Sequence, residues 1–492
     1  MKLASSSRYL TNILDTLQSK ILPDLQSAAA RADAEQVAGV LQELLRREYD
    51  YPKALELIIE EGDAIVAEFE GELQKNGVDS HSLVIAETNV SENSGNLIKV
   101  FDRLTATITE LARAYSQTPT HAQTRLALLR RAAEWECSAH NKLLSLTTKN
   151  VADEERLVAE PLPREVFDSY IQSVHPDGGK VQVTAFDRIT GGFSKQTWAV
   201  TIVDASAQSQ QLIVRKCEPI PLSLHKSFDL NREFQLVTEV NRSGFPAPKP
   251  LWMANNVAGV DAPFYVMERL PGKPPGSYLG GSGALPKSLL LDIAALLARL
   301  HAIPPESLTD FIHRYDTPAV LSETVAQCYR RAVADWRDYA MQAETITSPT
   351  QIYMFDWLSE NVPHDDSRPV LTHGDYSIHN MLAEDGHVTA ILDWEAAGFG
   401  APASDLAYIK PVVEKHMDWQ RFVQHYFDCG GRAFDPATLA YYQAFQSMKL
   451  LLPMNRAATL FRTGQISDIK FTAFELGFVP LFMKSALDGT AV

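Results

Sequence analysis

The stretch Leu371–Leu406, LTHGDYSIHNMLAEDGHVTAILDWEAAGFGAPASDL, contains more chemical information than any other part of the chain. It places Asp375 directly after His-Gly, Asn380 five residues later and Asp393 thirteen residues after that. Phosphoryl transfer needs one carboxylate that orients the attacking hydroxyl and accepts its proton. It also needs an amide oxygen and a second carboxylate that hold Mg²⁺ against the phosphates. The ordered set predicts a phosphotransfer site with Asp375 as the base and Asn380 and Asp393 as metal ligands.

The residues around these three positions support the same interpretation. Val388–Leu392 is an apolar, β-branched run that would deliver Asp393 from the end of a strand. Glu395 alternates to the same side as Asp393 in an extended segment, so it is predicted to reach a metal directly or through water. His373 is predicted to hold the backbone of the loop. Asp405 is predicted to cap the next helix or to brace the catalytic loop.

Length and composition limit the classes of protein that the chain can belong to. With 492 residues it is long enough for two or three domains, and 45% hydrophobic residues allow sizeable cores. The net charge of −16 argues against nucleic acid as a partner and suits a cationic or neutral small substrate, and solubility alone is an equally good explanation of it. Four scattered cysteines predict neither a disulfide framework nor a zinc site. Without an apolar leader or membrane span, we expect a cytoplasmic protein with no membrane partner.

The first 150 residues predict an all-helical domain. Long helices with short connections favour an antiparallel bundle, which contains no catalytic constellation and whose role is unknown. It could cover the active-site cleft or form a homodimer. Apolar residues recur at three- and four-residue spacing in Tyr9–Ala29, Ala34–Arg47, Pro52–Asn76, Glu92–Tyr115 and His121–Leu146.

After a charged, aperiodic linker at 151–163, the pattern changes from helical to mixed. Short β-rich runs then surround one predicted helix, Arg232–Arg242. From Pro286 onward the chain is mainly helical, with helices predicted at Leu321–Ala343 and Tyr408–Phe427. We therefore predict an α+β, bilobal protein-kinase-like fold, with a small β-rich lobe at 164–270 and a large helical lobe at 271–492. The β-rich runs are Val181–Ile189, Thr197–Val203, Gln211–Cys217 and Pro263–Met267.

A glycine-containing turn and a basic strand end predict the phosphate site of the small lobe. Backbone N–H groups of the turn could cover phosphates, and an ordinary Gly-Gly hairpin is the alternative. At the strand end, Arg215 and Lys216 point to opposite faces, so only one can face the cleft. Glu233 on the following helix is the expected ion-pair partner. The turn comprises Gly191, Gly192, Phe193 and Ser194.

The end of the last small-lobe strand predicts the nucleotide hinge. Backbone groups of Glu268 and Leu270 would recognise adenine, and Met267 would form an apolar wall beside the base. The Gly/Pro-rich segment Pro271–Pro286 that follows is predicted to be a flexible connection and not a phosphate loop.

Together these residues resemble the aminoglycoside phosphotransferase-like family, a branch of the protein-kinase-like fold. The small-lobe series is most similar to a subgroup related to the kinase-like domain fused to some acyl-CoA dehydrogenases. In that subgroup the strand cation is often Arg, which favours Arg215. The resemblance covers about residues 164–480, although Ala401 replaces the Asp of the family's usual Gly-Asp-Pro. Its motifs are His373-Gly374-Asp375 with Asn380, Ile391–Glu395 and Gly400–Ala407.

The resemblance implies a kinase that uses ATP (or GTP) and Mg²⁺ to phosphorylate a hydroxyl of a small molecule, such as a hydroxyacyl-CoA or another hydroxylated metabolite. An aminoglycoside-type antibiotic phosphotransferase is the alternative with the same chemistry. A catalytically silent nucleotide-binding module is the alternative of another class, but Asp375, Asn380 and Asp393 are all retained. The absence of an Asp-Phe-Gly and Ala-Pro-Glu pair argues against a protein kinase.

Overall fold

The computed structural model divides the chain into two compact units, which are described one at a time. One unit comprises Met1–Arg156, Val333–Val362 and Gln443–Val492, and the other comprises Leu157–Ala332 and Pro363–Tyr442. The domain boundaries inferred from the sequence stay a prediction. The structure describes residues 6–25, 28–49, 51–80, 83, 94–145, 162–189, 195–276, 284–342, 348–462, 465–466 and 474–491.

Helices dominate the described residues. In chain order they are α1 (Ser6–Thr16), α2 (Ala28–Tyr49), α3 (Tyr51–Lys75), α4 (Ser94–Ser116), α5 (Ala122–Ser145), α6 (Arg164–Val174), α7 (Leu230–Arg242), α8 (Lys287–His301), α9 (Thr309–Tyr315), α10 (Val325–Gln342), α11 (Pro349–Glu360), α12 (Pro402–Glu414), α13 (Trp419–Asp428), α14 (Leu439–Arg462) and α15 (Val479–Asp488). The strands are β1 (Gln182–Ile189), β2 (Lys195–Val203), β3 (Ser209–Cys217), β4 (Pro250–Ala254), β5 (Phe264–Glu268), β6 (Val370–Thr372), β7 (Met381–Glu384), β8 (His387–Ile391) and β9 (Gly398–Gly400).

The first unit is built from packed helices, as the periodicity of residues 1–150 predicts. Apolar positions such as Phe69, Ile108 and Leu129 are fully buried between α3, α4 and α5. Gly62 permits the close packing of α3, because an added Cβ would lie 2.8 Å from the indole of Trp135. No single helix in the described part of the chain combines the length and apolar composition that a membrane crossing requires.

The small lobe of the second unit is a five-stranded antiparallel sheet in the order β1-β2-β3-β5-β4. Side chains alternate between its two faces. One face carries Trp198 and Val214, which pack with Phe167 of α6 in an apolar cluster. The opposite face carries Tyr265 and Met267, which form a second cluster with Leu230 of α7. Because α7 covers this second face, any charged side chain on the same face as Tyr265 lies next to that helix.

Two short antiparallel pairs of the second unit frame the segment singled out in the sequence. β6 pairs with β9, and β7 pairs with β8. Residues 373–380 connect β6 to β7, while Asp393 follows the end of β8. The predicted α+β fold, with a helical region before the kinase-like lobes, is thus confirmed.

The secondary structure differs from the prediction in several details, including the extended segment expected at Asp393–Glu395, where a 3-10 turn begins at Trp394. β4 was missed, because its sequence is short and begins with proline, which reads as a loop. The segment Tyr408–Phe427 is not one helix, since α12 ends at Glu414 and α13 begins at Trp419. The Asp418 carboxylate accepts a hydrogen bond from Arg421 N (3.0 Å) and thereby caps a new helix.

Candidate active site

A buried carboxylate from α12 supports the loop between β6 and β7. Asp405 Oδ2 accepts a hydrogen bond from His373 N, and its Oδ1 accepts one from Gly374 N, both at 2.8 Å. On its other side, His301 Nε2 lies 3.2 Å from Oδ2. Gly374 has a φ of 76°, which glycine adopts without strain and which turns the chain toward Asp375. Asp405 therefore braces the loop, which is one of the two roles that the sequence predicts for it.

The ring of His373 ties this loop to the segment before Asp393. Asp375 N donates to His373 Nδ1 (3.2 Å), and His373 Nε2 lies 2.9 Å from the carbonyl oxygen of Leu392. Because Nδ1 accepts, the ring carries its proton on Nε2 and donates it to that carbonyl. Trp394 packs edge-on against the ring at 4.8 Å between centroids. These contacts match the predicted role of His373, which is to hold the backbone of the loop.

The Asp375 carboxylate has one satisfied oxygen and one open oxygen. Asn380 Nδ2 donates to Oδ2 at 2.8 Å. Oδ1 is buried and has no hydrogen-bond partner within ordinary geometry among the described residues, and His379 Nε2 lies 3.8 Å from it. Burial would raise the pKa of the Asp375 carboxyl, but the neighbouring His379 and Tyr408 outweigh it and hold the pKa below its ordinary value. This carboxylate is therefore ionised and presents one acceptor oxygen to the site.

Asn380 and Asp393 are brought together through the backbone. Leu392 N donates to the carbonyl oxygen of Asn380 at 2.7 Å. Asp393 adopts a left-handed conformation with a φ of 62°, which is unusual for a residue other than glycine and points to a functional constraint. Because Asn380 Nδ2 donates to Asp375, the amide oxygen of Asn380 is left for another partner.

The donor set fits magnesium better than a transition metal. No cluster of three or more His, Cys, Asp or Glu suited to a metal occurs in the part of the chain that the structure describes. Mg²⁺ is usually held by one or two protein oxygens together with substrate phosphates, so a cage of protein ligands is not needed. The Asn380 amide oxygen and the Asp393 carboxylate are oxygen ligands of that kind.

Arg215, and not Lys216, faces the acidic residues of the site. Arg215 Nη1 lies 3.1 Å from Glu233 Oε1, and its Nη2 donates to Asp393 Oδ1 at 2.7 Å. Lys216 points to the opposite face, where its Nζ lies 2.5 Å from Asp261 Oδ1. Strand alternation alone could not decide which of these two residues faces the site, and their ion pairs show that it is Arg215.

The charges at this face shift the ionisation of one another. Burial opposes ionisation of Asp393, but Arg215 and then Lys195 outweigh it, so the pKa of the Asp393 carboxyl is lowered. For Glu395 the balance is reversed. Burial raises its pKa, Asp393 and Glu233 raise it further, and the opposing effect of Lys195 is too small to cancel them.

Lys195 and Tyr265 belong to the same network and were not predicted from the sequence. Lys195 Nζ lies 2.9 Å from Glu233 Oε2 and also contacts Glu395 Oε2. The Tyr265 hydroxyl donates to Glu233 Oε1 at 3.0 Å. Burial opposes the charge of Lys195, but the two glutamates outweigh it and raise the pKa of the ammonium group. A signal was present in the sequence, because alternation from the apolar positions of β2 places Lys195 on the polar face.

Some groups of the predicted hinge already make contacts within the small lobe. Met267 is buried in the cluster with Leu230 and Tyr265. The N–H group of Glu268 donates to the carbonyl of Lys249 at 3.0 Å, so it cannot also recognise adenine. The carbonyl of Glu268 and the backbone of half-buried Leu270 are the hinge groups that could do so.

The predicted phosphate-covering turn lies outside the described residues. Gly191, Gly192, Phe193 and Ser194 fall in the interval between β1 and β2, for which the structure describes nothing. Their predicted role therefore stays a prediction.

The model of the phosphotransferase enzyme family matches residues 186–451, more than half of the chain. The chain belongs to this family. Its members are phosphotransferases, and the matched residues include every described position of the site.

Individual relatives match shorter parts of their own sequences. Acyl-CoA dehydrogenase family member 11 of Rattus norvegicus is 30% identical over 268 residues, which are 52% of this chain and 32% of that protein. Viomycin phosphotransferase of Streptomyces vinaceus is 29% identical over 178 residues, which are 34% of this chain and 56% of that protein. The chain spans about a third of the length of the first curated relatives that it matches. A solved macrolide 2′-phosphotransferase type I has 17% identity and a TM-score of 0.43, covering 65% of this chain and 98% of that one.

Proposed function

We propose that the chain is a phosphotransferase that uses ATP and Mg²⁺ to phosphorylate a hydroxyl group of a small molecule. The observation that carries this proposal is the open Oδ1 of Asp375, a buried, ionised acceptor oxygen on a loop fixed by Asp405. A buried polar atom without a partner is costly unless a ligand supplies one. A substrate hydroxyl is a donor of the right kind.

In this mechanism Asp375 mainly orients the attacking hydroxyl. A carboxylate with a lowered pKa is a weak base, but the loose transition state of phosphoryl transfer needs positioning more than early proton removal. The proton passes to Oδ1 as the bond from the acceptor oxygen to the γ-phosphorus forms, while the bond from that phosphorus to the β,γ-bridging oxygen breaks and ADP leaves. Asn380 and Asp393 would hold Mg²⁺, with Glu395 as a further ligand directly or through water. The ion would neutralise charge on the phosphate oxygens.

Arg215 and Glu233 would form the phosphate-positioning pair of the small lobe. The guanidinium bridges Glu233 and Asp393 through two different nitrogen atoms, so its plane is fixed. A fixed guanidinium suits the planar recognition of phosphate oxygens. Glu233 is held in turn by the Tyr265 hydroxyl. The arrangement would place a permanent cation where the α- and β-phosphates are bound.

For the acceptor we propose a hydroxylated metabolite such as a hydroxyacyl-CoA. The sequence similarity to a protein described as an acyl-CoA dehydrogenase family member supports this class. An aminoglycoside-type antibiotic is the second candidate, supported by the similarity to viomycin phosphotransferase and by the acidic charge of the chain. A homodimer formed through the helical region stays a prediction that sedimentation of the full chain would test.

The test is an ATP-consumption screen with hydroxyacyl-CoA thioesters, viomycin and aminoglycosides, repeated with GTP. We expect Mg²⁺-dependent turnover with one acceptor class and a phosphorylated product detected by mass spectrometry. Asp375→Ala should lower kcat about 10³-fold, the size typical of losing a positioned acid–base group. Asp385→Asn is the matched control, because Asp385 is an exposed aspartate of the β7–β8 turn with a φ of 51° that asparagine tolerates.

Two results would decide against the proposal. Turnover that survives Asp375→Ala would remove Asp375 from the reaction. Nucleotide binding by the wild type without turnover of any hydroxyl acceptor would favour the silent nucleotide-binding module.

A further inference from the structure

Lys195 lies on the charged face of the sheet, among residues that the proposed function assigns to the nucleotide and the metal. It is the first residue of β2, and its side chain is only 5% exposed. Opposite it in the sheet register lies Cys217, two residues beyond Arg215 on the same face. The two cations therefore lie side by side on one sheet face, and both point toward carboxylates that the proposed mechanism assigns to the metal and its support.

The five charged side chains alternate in sign along one connected network. From one end to the other the order is Glu395, Lys195, Glu233, Arg215 and Asp393. Among the described residues, three carboxylates thus share two cations. Carboxylates in excess of their cations favour the binding of a further cation.

The two contacts of Lys195 are not equivalent. The Glu395 carboxylate accepts a hydrogen bond from Nζ. The contact with Glu233 has ion-pair distance, but Glu233 Oε2 receives no hydrogen bond among the described residues. Lys195 is thus held mainly by Glu395, a carboxylate that the proposed function assigns to the metal.

We propose that Lys195 is a second phosphate-binding cation, which exchanges Glu395 for phosphate oxygens when a magnesium nucleotide binds. The inference rests on the proposed function, since it names a further residue of the same nucleotide site. Glu395 would then help to hold the metal in place of Lys195, and the ammonium group of Lys195 would be free to contact the phosphates of the nucleotide. An ammonium on a flexible stem can make that move without any change of the strand.

Lys216 shows what a purely structural lysine looks like in this sheet. It is 1% exposed and pairs with Asp261 on the face opposite to Arg215. Lys216→Met is therefore a matched control, because it also removes a buried cation of the small lobe but leaves the charged face intact. Any loss caused only by lower stability should appear in both variants.

The experiment measures dissociation constants by calorimetry for Mg·ATP, for ATP in EDTA and for adenosine. Lys195→Met should weaken Mg·ATP binding about tenfold, the value of one charge-assisted hydrogen bond, while adenosine binding stays constant. Lys195→Arg should restore most of the affinity. Lys216→Met should leave the ratio of Mg·ATP affinity to adenosine affinity at the wild-type value.

A second variant moves the affinity in the opposite direction. Glu395→Gln should release Lys195 and tighten the binding of metal-free ATP severalfold, and Lys195→Met combined with it should abolish that gain. This arm stays decisive if Lys195→Met alone does not fold, because Glu395→Gln keeps the lysine.

The outcomes separate this inference from the proposed function. An unchanged affinity ratio in Lys195→Met, or no gain in Glu395→Gln, would overturn the role of Lys195 while the kinase proposal stands. Tighter metal-free binding in Glu395→Gln, together with no turnover of any acceptor by the wild type, would support Lys195 and overturn the catalytic proposal. A wild type that binds no nucleotide would overturn both.

Discussion

Each compact unit buries carboxylates among cations, but the two sites differ in their balance of charge. In the helical unit, Asp356 of α11 has Arg125 Nε at 3.1 Å and Arg337 Nη2 at 3.1 Å, and Arg125 also pairs with Glu360. Two cations thus serve two carboxylates. In the kinase-like unit, Arg215 and Lys195 serve three carboxylates among the described residues, and Asp375 Oδ1 receives no hydrogen bond from them within ordinary geometry.

The difference teaches how a structural network can be distinguished from a binding site. The balanced pairs around Asp356 need nothing further, and they join α11 to α5 and α10 within one unit. The unbalanced group around Asp393 is complete only when a cation and a hydrogen-bond donor are added. An unsatisfied carboxylate oxygen beside a surplus of carboxylates, more than burial itself, marks the site where a ligand belongs.

The largest effect on stability is expected from Asp356→Ala. Removing this carboxylate leaves two arginines without their shared partner, which typically costs about 3–5 kcal/mol of folding free energy for a buried pair. Urea unfolding followed by circular dichroism would measure the loss. The Kd of Mg·ATP at a temperature where the variant is folded should stay at the wild-type value. Glu360→Gln is the control, because Glu360 is 40% exposed and its pair should contribute little.

If the affinity of Asp356→Ala for Mg·ATP fell along with its stability, the comparison between the two networks would be wrong. It would mean that the balanced network supports the phosphotransfer site as well as its own helices.

The second effect is a loss of stability in acid that depends on Asp405. Burial raises the pKa of this carboxyl, but the hydrogen bonds from His301 and from the backbone N–H of His373 outweigh it, so the pKa lies below its ordinary value of 3.8. A carboxyl with a lowered pKa in the folded state contributes stability that is fully present above that ordinary value. The contribution is lost as the pH falls toward the folded-state pKa.

Asp405→Asn should therefore unfold more easily at pH 7, by about 2 kcal/mol, because an amide cannot accept from both backbone N–H groups as a carboxylate does. Its stability should also change less between pH 5 and pH 3 than that of the wild type. Chemical unfolding at several pH values would measure both effects. Equal acid sensitivity of the two proteins would show that other carboxyls, and not Asp405, control acid unfolding.

A third and smaller effect is expected from Arg215→Lys. An ammonium group can contact Glu233 or Asp393 but cannot bridge them through two nitrogen atoms as the guanidinium does. We expect Mg·ATP affinity to fall about tenfold, equivalent to ~1.4 kcal/mol, with folding stability nearly unchanged. Lys216→Arg is the control on the opposite face. Equal affinity losses in the two variants would mean that the sheet, and not the charged face, is being disturbed.

Much of the site could be predicted from the sequence, because its residues lie close together along the chain. Asp375, Asn380 and Asp393 fall within one short segment, and their fixed spacing is itself the signal. The alternation of apolar residues likewise predicts β1, β2, β3 and β5. The structure confirms the fold that follows from these patterns, while the catalytic and metal-binding roles stay predictions.

The remaining features depend on long-range contacts that no local pattern contains. The choice between Arg215 and Lys216 is made by Asp393 and Asp261, which lie far away in the sequence. Lys195 gains its partner 200 positions later, at Glu395. Composition shifts also could not predict that the helical unit collects three separate segments of the chain, because a helix that packs in either unit has the same periodicity.

The smallest effect concerns the start of α11, the helix that carries Asp356. Ser348 accepts a hydrogen bond from Gln351 N at 3.3 Å, and the Gln351 side chain accepts one from Ser348 N, a reciprocal capping box. Ser348→Ala should cost about 1 kcal/mol, less than the loss of Asp356, because only one end of the helix is affected. Ser359→Ala near the other end removes a hydroxyl that merely donates to Phe355 O and should cost less. If Ser348→Ala cost as much as Asp356→Ala in urea unfolding, the cap, and not the balanced ion pairs, would be what holds α11 in the helical unit.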